Sequence, residues 1–112
     1  GRPALLVTGT LDGQSFTGLG VSPAERLLAF EAMPASGNKY LLVVDQADHM
    51  FFNGTRGLRD FGSAGRGIDF TAVEARGYPQ VKAVSTAYWL AHLRGDCAAA
   101  EWLRRNRDVR RK

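Results

Sequence analysis

The sequence predicts an α/β fold: two parallel strands, a crossover helix between them, and terminal helices. Three observations lead there. ALLVT at 4–8 and KYLLVV at 39–44 are continuous apolar runs of strand length. Neither alternates apolar with polar residues, which is the pattern of strands covered on both faces in a parallel sheet. Between them, residues 22–33 carry the signals of a helix, so the order strand, helix, strand implies a right-handed βαβ crossover.

The helix signals are local and chemical. Ser22 is an N-cap, Pro23 suits the first helical position, and Glu25 completes a Ser-x-x-Glu capping box. Ala24, Leu27 and Leu28 begin an apolar stripe that Phe30 and Met33 widen, and Pro34 and Gly37 close it. Residues 55–80 are rich in glycine and poor in periodic apolar positions, which predicts a long irregular loop. Gly62, Gly65 and Gly67 have the wrong order for a nucleotide fingerprint and follow no strand, so a surface loop is the plain reading rather than a phosphate cradle. VKAVSTAYWLAHL at 81–93 predicts a helix with Val84, Ala87, Tyr88 and Ala91 on one face, stopped by Gly95. Asp96 then caps a last helix at 96–105, anchored by Trp102 and Leu103. No internal repeat is visible.

At 112 residues the chain is one domain or a piece of one. Such a length buries roughly two thirds of its surface on folding, enough for a modest core. Hydrophobic residues make up 45% and charged residues 23%, which excludes a disordered chain. No apolar run approaches the ~20 residues of a membrane span, and no signal-peptide pattern is present. The opening GRPALLV, without methionine and hard against the first strand, is expected of a segment of a larger polypeptide; removal of a tag leaves the same appearance. The single cysteine, Cys97, excludes an intrachain disulfide and a thiolate zinc cluster. It is expected to be a small packing residue, with a reactive thiol as the alternative. The compartment stays open.

The net charge of +4 is concentrated at one end: RRNRDVRRK at 104–112 carries six basic residues and one acid. Such a tail attracts polyanions. It has no interleaved aromatics and belongs to no nucleic-acid-binding module, so it is expected to be a solvated, frayed helix end with nucleic acid a distant partner.

Two ionisable residues follow the two strands, Asp12 after the first and His49 after the second. Ligand groups gather at the carboxyl ends of strands in open α/β sheets, and adjacent parallel strands put both residues on one rim. An aspartate there accepts the N–H of an imidazole, fixes its tautomer and stabilises the imidazolium. Each residue also has a plainer reading: Asp12 as a turn or cap residue, His49 as a structural histidine. Asp45 and Asp48 flank His49 and could join it as metal ligands, or Asp48 could replace Asp12 as the acid. Loop acids in a row are more often solvated or capping, and no metal or cofactor is expected. Met50, Phe51 and Phe52 suit either an acyl-binding wall or core packing. His92 is expected at a surface or rim beside Trp89. NGT at 53–55 has the form of a glycosylation sequon.

PALLVTGTLDG and KYLLVVDQADHMFF resemble the last two core strands of the α/β-hydrolase family, where one strand ends in G-x-x-D and the next leads through a small-residue turn to the catalytic histidine. VKAVSTAYWLAHLRGDCAAAEWL is similar to the final helices of its dienelactone-hydrolase-like and esterase-like members. The likeness covers most of residues 3–54 and 81–103, in the family's chain order of acid before histidine. It implies the C-terminal part of such a domain, with Asp12 as triad acid, His49 as general base, and a small ester-type or related acyl compound as substrate. The family's nucleophile elbow, G-x-S-x-G, is not in this sequence, and Ser15, Ser22, Ser36, Ser63 and Ser85 all lack its context. Gln46 stands where the family has glycine before the histidine. The resemblance therefore implies two members of a triad, competent only when joined to a nucleophile-bearing N-terminal half. The alternative is a non-catalytic half-domain that oligomerises through the bare edge of its first strand.

Overall fold

The computed structural model describes residues 1–12, 22–53 and 67–112. Ser15, Ser63, Gly62, Gly65 and most of the 53–55 sequon lie outside them. The elements run β1 (Ala4–Leu11), α1 (Pro23–Glu31), β2 (Lys39–Asp48), a 3₁₀ turn (His49–Asn53), α2 (Phe70–Leu93), α3 (Cys97–Arg105) and β3 (Val109–Arg111). They form a small α/β structure around a mixed sheet of order β1-β2-β3. β1 and β2 are parallel, with Ala4 opposite Lys39 and Gly9 opposite Val44.

The sheet has two covered faces, as continuous apolar runs require. Tyr40, Leu42 and Val44 point to one side and pack with Val73, Val84, Tyr88 and Leu103 of the two C-terminal helices. Their register partners Leu5 and Val7 join the same cluster. Leu41 and its partner Leu6 turn to the other side, where they line a cavity with Ala29 of α1. α1 starts as its sequence specifies. Ser22 Oγ accepts from the Glu25 N–H at 3.2 Å, and the Glu25 carboxylate accepts from the Ser22 N–H at 2.8 Å. That second bond holds the Glu25 carboxyl below the usual carboxylate range.

Three expectations need correction. The irregular stretch at 55–80 ends early, because α2 begins at Phe70. Asp69 caps it, accepting from the Ala72 N–H at 3.1 Å. Gly77 and Pro79, which look like helix breakers in the sequence, lie inside it. Gly77 is where the helix meets the sheet: a Cβ there would lie 2.7 Å from Phe51 and 2.8 Å from Val44 side-chain atoms. Pro79 is exposed and lines the groove between α2 and α3.

The basic tail is not a frayed helix end. α3 stops at Arg105, and Val109–Arg111 pair antiparallel with β2, Tyr40 opposite Arg111 and Leu42 opposite Val109. Among the described residues the sheet therefore has three strands and mixed direction instead of two parallel ones. Val109 is buried; Arg110 lies over the Phe30 ring and pairs with Glu31 at 2.8 Å. Arg104 and Arg105 both pair with Glu101. One buried valine and the Glu31 partner of Arg110 accompany the pairing of residues 109–111 as an edge strand.

The third correction concerns α3, which Asp96 does cap by accepting from the Ala99 N–H at 3.0 Å. Leu103 is fully buried as expected, but Trp102 is 42% exposed and lines the groove between α2 and α3. Cys97 is exposed instead of packed. No helix among the described residues is long and apolar enough to cross a membrane.

Candidate active site

The carboxyl ends of β1 and β2 are joined irregularly. Gly9 pairs with Val44 and Leu11 with Asp48, so Thr10 faces three residues of β2, Asp45, Gln46 and Ala47. This bulge has identifiable supports. Gln46 adopts φ +60°, and its N–H is donated to Thr10 Oγ1 at 2.8 Å. Arg76 of α2 donates to the Gln46 side-chain oxygen at 3.3 Å and to the Asp45 carbonyl at 3.4 Å. Gln46 thus takes the left-handed conformation that glycine adopts freely, held by bonds on both its main chain and its side chain. By taking up two extra residues in β2, the bulge sets where His49 leaves the sheet.

His49 opens the 3₁₀ turn directly after β2, and Asp12 follows β1 in a turn closed by its own N–H on the Gly9 carbonyl at 3.1 Å. Their side chains meet: His49 Nδ1 lies 3.0 Å from Asp12 Oδ1. A carboxylate offers only acceptors, so Nδ1 carries the proton and Nε2 is left as the basic nitrogen. Burial separates the two roles. The Asp12 side chain is 7% exposed and that of His49 is 61% exposed. The acid is enclosed while the imidazole reaches solvent.

Asp12 is held by two further residues that sequence reasoning missed. Thr8, four residues back in β1, donates its hydroxyl to Oδ2 at 2.8 Å. Arg26 of α1 donates Nε to the Asp12 main-chain carbonyl at 2.6 Å and lies 3.4 Å from Oδ1. Thr8 could have been noticed, since a hydroxyl four residues before an acid at a strand end faces the same side of the sheet. Arg26 left no sequence signal, because its contact depends on where α1 docks. Beside them lies a cavity of about 270 Å³ lined by Thr8, Asp12, Arg26 and apolar residues of β1, α1 and β2.

The neighbours of His49 have other tasks. Asp48 is fully buried, and its Oδ1 accepts from the Phe51 N–H at 2.8 Å, closing the 3₁₀ turn. Adjacent in sequence, Asp48 and His49 are directed apart, and it is Asp12 that meets the imidazole. Phe51 is core, stacked on Tyr78 with centroids 4.4 Å apart, whereas Phe52 is 37% exposed beside the turn. Among the described residues, no group of three or more His, Cys, Asp and Glu side chains is arranged to hold a metal ion.

Comparison with protein-family models, with curated proteins and with solved structures finds no match. Any assignment of function therefore rests on the geometry of this chain.

The described serines are engaged elsewhere: Ser22 caps α1, Ser36 bonds Asn38, and Ser85 donates to the Lys82 carbonyl at 3.3 Å. His92 lies at a rim, as expected, but it also has a specific partner. It is half-buried, with Nε2 2.9 Å from the Tyr40 hydroxyl and its ring tilted against Tyr40 and Tyr88. Burial lowers the His92 pKa and raises that of Tyr40, the latter partly offset by Arg111. This pair sits at the amino end of β2, the opposite end of the strand from His49. A cavity of about 600 Å³ between α2 and α3 contains neither dyad residue.

Proposed function

We propose that this chain supplies the acid and the general base of a serine-hydrolase triad acting on carboxylic esters or related acyl substrates, as the C-terminal part of an α/β-hydrolase domain. The observation that carries the reading is the 3.0 Å contact between His49 Nδ1 and the enclosed Asp12 carboxylate at the ends of adjacent parallel strands. The nucleophile comes from a polypeptide segment outside these residues. His49 Nε2 takes the proton of the attacking hydroxyl as the tetrahedral intermediate forms, then returns it to the leaving group. Asp12 keeps the imidazole in the productive tautomer and stabilises its protonated form. The chemistry uses no cofactor.

The reading is tested in the natural polypeptide that contains residues 1–112. Its hydrolysis of a short-chain aryl ester should fall by about 10²–10⁴-fold in His49→Ala, the usual contribution of a general base. Activity that survives the substitution intact contradicts it.

A second reading has its own support: β1 pairs with β2 on one side only, which leaves its other edge open among the described residues. As a non-catalytic half-domain, the chain would associate with its own copies through that edge. Sedimentation of the 112-residue chain decides this alternative, with a well-folded monomer at micromolar concentration counting against it.

A further inference from the structure

Asp12 is gripped at both its main chain and its carboxylate, and one guanidinium takes part in both grips. Arg26 stands one turn inside α1, with its Nε 2.6 Å from the Asp12 carbonyl oxygen and 3.4 Å from Oδ1. Oδ1 is the oxygen that accepts from His49. The opposite oxygen, Oδ2, is taken by Thr8. Thr8 and the Gly9 carbonyl both belong to β1, so they tie Asp12 only to its own strand. Apart from His49 itself, Arg26 is the contact among the described residues that ties it to another element.

We propose that Arg26 is a positioning residue for the dyad: its Nε–H bond to the Asp12 carbonyl fixes the peptide that aims the Asp12 carboxylate at His49 Nδ1. The role rests on the reading of Asp12 and His49 as acid and base, and it adds a third side chain to that site. The main-chain contact is the shorter of the two, so the hydrogen bond sets the geometry and the charge is secondary. The charge-assisted guanidinium bond restrains that peptide directly, whereas the Thr8 hydroxyl holds only the carboxylate. With the peptide fixed, Oδ1 stays where the imidazole needs its acceptor. With it free, the carboxylate keeps Thr8 and turns away from His49.

The consequence is visible without catalysis, in the tautomer of a neutral imidazole. An acceptor held at Nδ1 selects the Nδ1–H form, whereas a histidine without one reverts to the Nε2–H form preferred in water. The measurement is a two-bond ¹⁵N–¹H correlation of the 112-residue chain at pH 8, with the His49 signal assigned by its loss in His49→Gln. In the wild-type chain the Nδ1–H form of His49 should dominate. In Arg26→Met, which keeps an apolar stem and loses the donor, the Nε2–H form should become the major one. In Arg26→Gln, which restores an N–H donor without the charge, the Nδ1–H form should return.

A wild-type tautomer pattern in Arg26→Met overturns the role. So does loss of the Nδ1–H form in both variants, because the charge and not the hydrogen bond would then be responsible. If Arg26→Met fails to fold, as judged by its amide spectrum, Arg26→Ala is read in its place. Failure of both to fold makes Arg26 a stabiliser of the fold and also overturns the proposal. A dominant Nε2–H form already in the wild-type chain would instead remove the Asp12–His49 bond itself, and with it the triad reading.

Discussion

Gly9 and Ala47 approach so closely that a methyl group on Gly9 would lie 2.1 Å from the Ala47 carbonyl oxygen. The contact is main chain against main chain, at the bulge that sets where Asp12 and His49 leave their strands. No side-chain rotation relieves it. Gly9→Ala should therefore lower stability by about 3 kcal/mol, the upper part of the range for overpacking, as the bulge is forced apart. Urea unfolding of the two chains checks this, and a loss below about 1 kcal/mol would show that the bulge yields easily.

Gln46 makes the converse case. Its φ of +60° is costly for any residue with a Cβ, and its bonds to Thr10 and Arg76 hold it there. The Thr10 bond uses the main-chain N–H, so glycine keeps it while losing only the long Arg76 contact. Relief of left-handed strain, about 1 kcal/mol, is opposed by the greater freedom of glycine in the unfolded chain. Gln46→Gly should leave stability unchanged or raise it by up to about 1 kcal/mol, whereas the β-branched Gln46→Val should lower it. Equilibrium denaturation of both variants reads the sign.

His92 makes stability depend on pH. Its folded pKa is lowered by burial against Tyr40 and Tyr88, so folding favours the neutral ring. The stabilisation is complete above the unfolded value of about 6.5 and is lost as pH falls from there through the lower folded value. Protonation also forces Nε2 to act as a donor to the Tyr40 hydroxyl and sets a positive charge beside a cavity lined by Arg104 and Arg111. Between pH 8 and pH 5 the wild-type chain should lose more stability than His92→Gln. Parallel pH profiles would contradict this. All other groups are common to both chains, so the difference between the profiles isolates His92.

The sequence made the interior of the sheet legible because its signals are local. Two continuous apolar runs marked β1 and β2, and Ser22, Pro23 and Glu25 marked where α1 begins. Nearly the first half of α2, residues 70–80, was hidden because glycine and proline read as breakers. Gly77 is there because the helix packs too closely on Phe51 and Val44 for a side chain. β3 was hidden because a run of arginines reads as solvated. Its place depends on one valine meeting Leu42, and on Glu31 supplying Arg110 with a partner from another element.

The candidate site divides the same way. Asp12 and His49 were readable because each follows a strand, and topology then fixes their rim. Their closeness needed more than topology, since the bulge and Gln46 set the point at which His49 leaves the sheet. Thr8 and Arg26 appeared only in three dimensions. Asp48 shows the limit of sequence adjacency: next to His49 in the chain, it spends its carboxylate on capping the turn.

The central claim is that His49, oriented by Asp12, activates a serine lying outside these 112 residues. Covalent labelling by a fluorophosphonate tests it most directly, because the reagent reacts with serines made nucleophilic by a neighbouring base. The probe is applied to the natural polypeptide containing this chain, and the modified residue is located by peptide mass spectrometry. The expected result is a single labelled serine outside residues 1–112, with the labelling rate reduced by about 10²–10⁴-fold in His49→Ala. An unlabelled polypeptide, or labelling that proceeds equally fast in His49→Ala, would contradict it.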